Sequence, residues 1–200
     1  MNRKQGIVTD LLGVLLKDAF PPVVGIYEKK YSLNEGTLQN AKDKHLKPFF
    51  LDEIGYREFW RNTFREVGIK LTNGQIEDIN RRVIDEAVPY ESLETIKRLR
   101  PNYVLGVLTN SPRNWLEEWD RRYGLTKIFD VVIASYQVHM RKPEIEMMEL
   151  PAIKMDLPAS EIDFHDDKLC NVNAGIEAGM NGNKVEPGLN SFLEYERNGR

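Results

Sequence analysis

The chain has 200 residues, is 41% hydrophobic and 30% charged, and carries a formal net charge of −3. That length suits one α/β domain or a core with a small insertion, and the mild negative charge argues against general affinity for nucleic acid or a membrane surface. The lone cysteine, Cys170, excludes an internal disulfide, and no apolar run approaches the roughly 18 residues of a membrane span.

Gly6 to Thr9 is a short apolar run that ends in Asp10, the pattern of a buried strand with a carboxylate at its C-terminal end. Asp10 also interrupts the apolar N-terminal stretch, and no small-residue cleavage site follows it. The stretch is therefore not read as a signal peptide, and a reduced, cytoplasmic setting is the expectation. Residues 20–88 carry helical periods, with Tyr56, Phe59, Trp60 and Phe64 as anchors and Asn73 as the expected cap of a helix through Glu86. This is an all-helical insertion, and its expected boundaries divide the chain into a core of residues 1–19 and 89–200 and an insertion of residues 20–88.

From Pro89 onward, helices and strands alternate. A helix over Tyr90–Arg100, with Pro89 at its start, precedes a strand over Tyr103–Leu108 that ends in Thr109 and Asn110. A helix over 113–123 stops at Gly124, and a strand follows over Asp130–Ala134. The next helix begins near Pro143 and is expected to end or bend at Pro151. Glu161–His165 reads as a strand running into Asp166 and Asp167, and Asn171–Ala178 as a helix capped by Gly179. A short strand at Asn183–Val185 and a helix at Ser191–Arg197 complete the chain. The alternation predicts a parallel sheet with right-handed crossovers, whose ligands sit beyond the carboxyl ends of the strands. Asp10, Thr109, Lys142, Asp166 and Asp167 all fall at such ends.

Crowded carboxylates repel one another, and a hard cation such as magnesium resolves the conflict. A carboxylate held beside a phosphoryl group can attack it and form an aspartyl-phosphate that water hydrolyses. A lysine offsets the charge, and a hydroxyl donates to the phosphoryl oxygens.

Four segments in order resemble the four motifs of the haloacid dehalogenase superfamily: GIVTDLLGVLL, VLGVLTNSP, the lysine of MRKPE, and IDFHDDKLCN. The resemblance covers nearly the whole chain, and ASYQVHMRKPE looks most like the phosphatase group of the soluble epoxide hydrolase N-terminal domain. It implies a Rossmann-like parallel sheet with helices on both faces, an inserted helical cap over residues 20–88 that closes over small substrates, and a Mg2+ cofactor. It further implies Asp10 as nucleophile, Lys142 as its catalytic partner, and Thr109 and Asn110 as phosphate ligands. The implied metal ligands are Asp10, the backbone carbonyl of Leu12, Asp167, and Asp166 directly or through water. The expected reaction is hydrolysis of a small phosphorylated metabolite, such as a sugar phosphate.

One departure stands out. The family places a second aspartate, its general acid and base, two residues after the nucleophile, and this chain has Leu12 there. General acid–base help is typically worth about 10²–10⁴-fold. Its loss implies a slow phosphatase, a different leaving group, or a substitute acid such as His45, Glu53 or Tyr56. Leu12 also keeps three rivals open: a 2-haloacid dehalogenase, a phosphonate hydrolase with a Schiff-base lysine among Lys42, Lys44 and Lys47, and a binding homologue without catalysis. Taken singly, Asp10 reads as a turn residue, the aspartate pair as a helix cap and Lys142 as a surface lysine. His165 reads as a core histidine and His139 and Arg141 as solvated. Asn171 reads equally as a helix-start or a site residue. Trp115 and Trp119, four apart on one helix, read as packing or as the contact of a homodimer.

Overall fold

The computed structural model describes residues 5–198. Five strands form one parallel sheet in the order β3-β2-β1-β4-β5. They are β1 (Gly6–Thr9), β2 (Val104–Thr109), β3 (Val131–Ala134), β4 (Ile162–Asp166) and β5 (Asn181–Lys184). Strand β1 is central, with Val8 in register with Gly106 on one side and Phe164 on the other. The first break in chain order lies between β1 and β4, and the ends of those two strands carry Asp10 and Asp166. The terminal strand NGNK is polar yet pairs along β4, with Gly182 opposite Phe164. Helix α11 (Leu169–Glu177) crosses it so closely that a Cβ on Gly182 would stand 2.8 Å from both Ile176 and the Val172 carbonyl oxygen.

The insertion holds α1 (Phe20–Lys30), α2 (Thr37–Asp43), α3 (Leu46–Phe50), α4 (Tyr56–Glu66) and α5 (Asn73–Glu86), with no strand between them among the described residues. Its two linkers meet: Lys17 N–H donates to the Val88 carbonyl at 2.9 Å and Tyr90 N–H to the Leu15 carbonyl at 2.8 Å. Thr72, one residue before the expected Asn73, caps α5. Its hydroxyl accepts from Gln75 N–H while the Gln75 side chain accepts from Thr72 N–H. The reciprocal bond needs a glutamine or glutamate three residues on, which Thr72 has and Asn73 lacks.

Helices α6 (Glu91–Leu99), α7 (Arg113–Tyr123), α8 (Leu125–Ile128), α9 (Ser135–Val138), α10 (Ile145–Met155) and α12 (Leu193–Asn198) complete the fold. Pro89 does not start α6: it pairs with Leu16 in the linker, and Tyr90 takes the cap position. Helix α10 runs through Pro151, because Met147, Met148, Pro151 and Met155 together bury its sheet-facing side. Packing here outweighs the one hydrogen bond that proline forfeits.

The sheet alternates as a strand must. Val8, Leu108, Ile133 and Phe164 meet the α10 methionines on one face. Ile7, Leu105 and Val107 meet Leu93 and Ile96 of α6 on the other, in a cluster that continues into the insertion. The continuity runs through rings: Phe20 stands edge-on to Trp115 at 4.9 Å, and Phe49 does the same at 5.3 Å. The tryptophans are packing residues, not a dimer contact: both are fully buried, and their indole N–H groups donate to Asn80 at 2.8 Å and to the Ile84 carbonyl at 3.1 Å on α5. Among the described residues, no helix is long and apolar enough to cross a membrane.

Candidate active site

Asp10 leaves β1 with its N–H still on the ladder, donating to the His165 carbonyl at 2.8 Å. Its carboxylate is nearly buried and accepts from Leu11 N–H at 2.7 Å and from the Lys142 ammonium at 2.9 Å. Burial pushes its pKa up to about 6, with Lys142 lowering and Asp166 raising it. The chain then turns at once: the Leu11 carbonyl accepts from both Leu15 and Leu16 N–H, and Gly13 N–H donates to the Leu16 carbonyl at 2.7 Å. Gly13 takes φ +86°, and a Cβ there would stand 2.7 Å from Asp167 Oδ2. Glycine is required on both counts.

Lys142 lies on the loop after α9, with 2% exposure. Its ammonium also reaches Asp166 Oδ2 at 2.6 Å. Burial pulls its pKa down, but Asp10 and Asp166 together hold it above the ordinary lysine value. The main chain of this residue is clamped by Asn110, whose Oδ1 accepts from Lys142 N–H at 2.8 Å and whose Nδ2 donates to the Lys142 carbonyl at 2.9 Å. Asn110 thus bears on Asp10 and Asp166 through Lys142. Thr109, at the end of β2, is buried with its hydroxyl 2.8 Å from that of Ser111, a residue the sequence reading passed over.

Asp166 is fully buried and satisfied. It accepts from Lys142, from Lys168 N–H at 2.8 Å, and from the Asn171 amide, which lies 3.0 Å from each oxygen. Asn171 therefore positions Asp166. Asp167 is different: its Oδ1 is buried with no hydrogen-bond partner. Burial raises its pKa, Lys168 lowers it and Asp166 raises it again. One oxygen from each of Asp10, Asp166 and Asp167 lies within 4.8 Å of the others. Three carboxylates against the one buried ammonium of Lys142 are a donor set for a hard divalent cation, and the orphaned Asp167 oxygen is the atom such a cation would satisfy. The remaining cation was also missed from sequence. Lys168 is an exposed residue, yet its ammonium feels Asp10, Asp167 and Asp18, which offset burial and raise its pKa.

The other sequence-level residues separate cleanly. His165 is buried, with Nε2 2.9 Å from the Tyr195 hydroxyl, which donates to Asp163 at 2.8 Å. His139 is exposed but its Nδ1 lies 3.1 Å from the Leu51 carbonyl. Of the substitute acids, His45 lies 3.6 Å from Glu66, Tyr56 donates to Glu77 at 2.7 Å, and Glu53 is exposed. Cys170 is exposed, and Phe59, Trp60 and Phe64 are fully buried core.

A family model described as haloacid dehalogenase-like hydrolase matches residues 27–185. Among solved structures, the HAD family enzyme BT-2542 from Bacteroides thetaiotaomicron superposes with a TM-score of 0.79 at 19% identity, over 96% of this chain and 98% of that one. The same enzyme in complex with magnesium and inorganic phosphate gives 0.75 at 20% identity, over 96% and 99%. The L-2-haloacid dehalogenase from Xanthobacter autotrophicus gives 0.66 at 16%, over 89% and 76%. At these identities the likeness is one of fold. A sesquiterpene phosphatase, astK, from Aspergillus oryzae is 38% identical over 80 residues, which span 40% of this chain and 37% of that relative.

Proposed function

The chain belongs to the haloacid dehalogenase-like hydrolases, and on that premise we propose that it is a magnesium-dependent phosphohydrolase that works through an aspartyl-phosphate on Asp10. The observation that carries the reading is the carboxylate trio Asp10, Asp166 and Asp167, one oxygen of each within 4.8 Å of the others, with the buried Lys142 paired to only two of them. A dehalogenase on this fold has no use for three crowded acids, whereas a metal-assisted phosphatase does. Asp10, Asp167 and the Leu12 carbonyl would hold the cation, with Asp166 behind them. Bound there, magnesium would neutralise the acids and draw charge from the phosphoryl oxygens.

The chain's own residues do the rest. Lys142 keeps Asp10 ionised and aimed, because its ammonium is fixed by Asp166 and its main chain by Asn110. The Asp10 oxygen attacks phosphorus, the bond to the leaving oxygen breaks with its electron pair going to the departing group, and the hydrogen-bonded pair of Thr109 and Ser111 hydroxyls donates its free proton to a phosphoryl oxygen. Water then releases phosphate and restores the carboxylate.

Residues 20–88 act as the cap, seated over the catalytic end of the sheet. Ser135 donates to the Phe50 carbonyl at 2.8 Å and Arg113 to Asp52 at 2.8 Å. The substrate is a small phosphorylated metabolite; the sesquiterpene phosphatase relative favours an apolar body over a sugar. A Schiff-base reading gains little, since Lys44 and Lys47 are exposed and ion-paired, and Lys42 is buried over the Phe20 ring beside Asp43. The test is phosphate release from p-nitrophenyl phosphate with magnesium, abolished by Asp10→Asn. A metal-replete protein that releases none across a broad phosphate panel contradicts the reading.

A further inference from the structure

Position 12 carries leucine where the resemblance places a proton donor, and that bears on the leaving group. Leu12 is half-buried and packs against the apolar cluster that joins core and cap. The cap segment that docks on the catalytic loops is Leu46 to Asp52, and its polar groups are engaged. Lys47 pairs with Glu144, Asp52 with Arg113, the Phe50 carbonyl accepts from Ser135, and the Leu51 carbonyl lies on His139. The principal charges acting on Asp10 are Lys142, Asp166 and Lys168, all from the core. Leu46, Phe50 and Ile54 line the same cap cluster.

An alkoxide leaving from a simple phosphate ester is about as basic as hydroxide, so it needs a proton as it departs. A phosphate monoester, with a second pKa of about 6, leaves without one. Resting on the phosphatase reading above, we propose that the site is specialised for phosphoanhydrides, namely the diphosphate of an apolar alcohol, with Lys168 receiving the phosphate that departs. Lys168 suits that role by place: it is the N-cap of α11, next in chain to Asp167, its N–H donates to Asp166 at 2.8 Å, and Asp10 and Asp167 both act on its ammonium. The Asp10 oxygen bonds to the terminal phosphorus, and the bond to the bridging oxygen breaks. Its electron pair leaves on the alkyl monophosphate. Water then attacks the same phosphorus, the bond to Asp10 breaks with its electron pair returning to the carboxylate, and the water proton passes to solvent. One water is consumed and no redox partner is needed.

The experiment compares decyl diphosphate, decyl phosphate and p-nitrophenyl phosphate as substrates of the full-length, magnesium-loaded protein. The diphosphate should exceed the monophosphate in kcat/KM by about 10²-fold or more, and p-nitrophenyl phosphate, whose leaving group is also weakly basic, should be cleaved. Lys168→Met should raise KM for the diphosphate about tenfold while shifting that for p-nitrophenyl phosphate less. Leu12→Asp should narrow the ratio by speeding decyl phosphate. Equal kcat/KM for the two decyl compounds, with Asp10-dependent cleavage of p-nitrophenyl phosphate, overturns the leaving-group assignment and leaves the phosphatase reading standing. No turnover of any of the three overturns both.

Discussion

Asn110 grips the main chain of Lys142 at both ends of its amide, accepting at 2.8 Å and donating at 2.9 Å. The bond pair ties the end of β2 to the loop after α9 and fixes where the Lys142 ammonium stands. Asn110→Ala should therefore lower kcat by tenfold or more with a modest stability loss, about 1 kcal/mol per hydrogen bond removed. Steady-state kinetics beside thermal melts check it. An unchanged kcat would mean that Asp10 and Asp166 alone hold Lys142.

Lys142→Met strands two buried carboxylates. Breaking a buried ion pair from one side costs roughly 3–5 kcal/mol. The variant should melt well below wild type and lose activity, and magnesium should restore more stability to it than to wild type. Calorimetric melts with and without magnesium decide this; equal shifts in the two proteins would count against a metal site at the trio.

Gly13→Ala places a methyl group 2.7 Å from Asp167 Oδ2 at φ +86°. The strain and the displaced carboxylate should weaken magnesium binding about tenfold or more while leaving the fold intact. Titration calorimetry with magnesium reads it directly. Wild-type affinity would remove Asp167 from the ligand set.

His165 is held neutral by burial, which pulls its pKa down to about 4 from 6.5. The unfolded chain binds the proton first, so stability should be full above pH 6.5 and fall as pH drops toward 4, by about 3 kcal/mol over that window. Denaturant unfolding at several pH values, with His165→Gln as the control, measures the slope. A slope equal to that of the control would show that other groups carry the acid loss.

Much of this was readable beforehand, for physical reasons. The strands are apolar runs with acids or hydroxyls at their ends, and the period of the pattern places Asp10, Thr109, Lys142 and Asp166 on one edge. Residues whose role is set by a partner far along the chain were not readable. Nothing in TNSP says that the asparagine side chain turns to Lys142, 32 residues on, and nothing in HDDKLCN says that Asn171 serves Asp166. Lys168 resembles any surface lysine until the turn at Asp10 and the start of α11 are brought together. Pro151 inside α10 and Thr72 in place of Asn73 show local signals overruled by packing and by a better-placed partner.

On the proposed mechanism, losing the base as well as the acid at position 12 slows the second half of the reaction most, because water must attack the phosphoenzyme unaided. Rapid mixing with p-nitrophenyl phosphate should show a burst of nitrophenol close to one per active site before slow turnover. The same mixture, quenched in acid and examined by mass spectrometry of its peptides, tests the central claim most directly. A phosphoryl group on Asp10, dependent on magnesium and absent from Asp10→Asn, is the expected result. Phosphate release that persists in Asp10→Asn, or a phosphoryl group found elsewhere, would contradict the account.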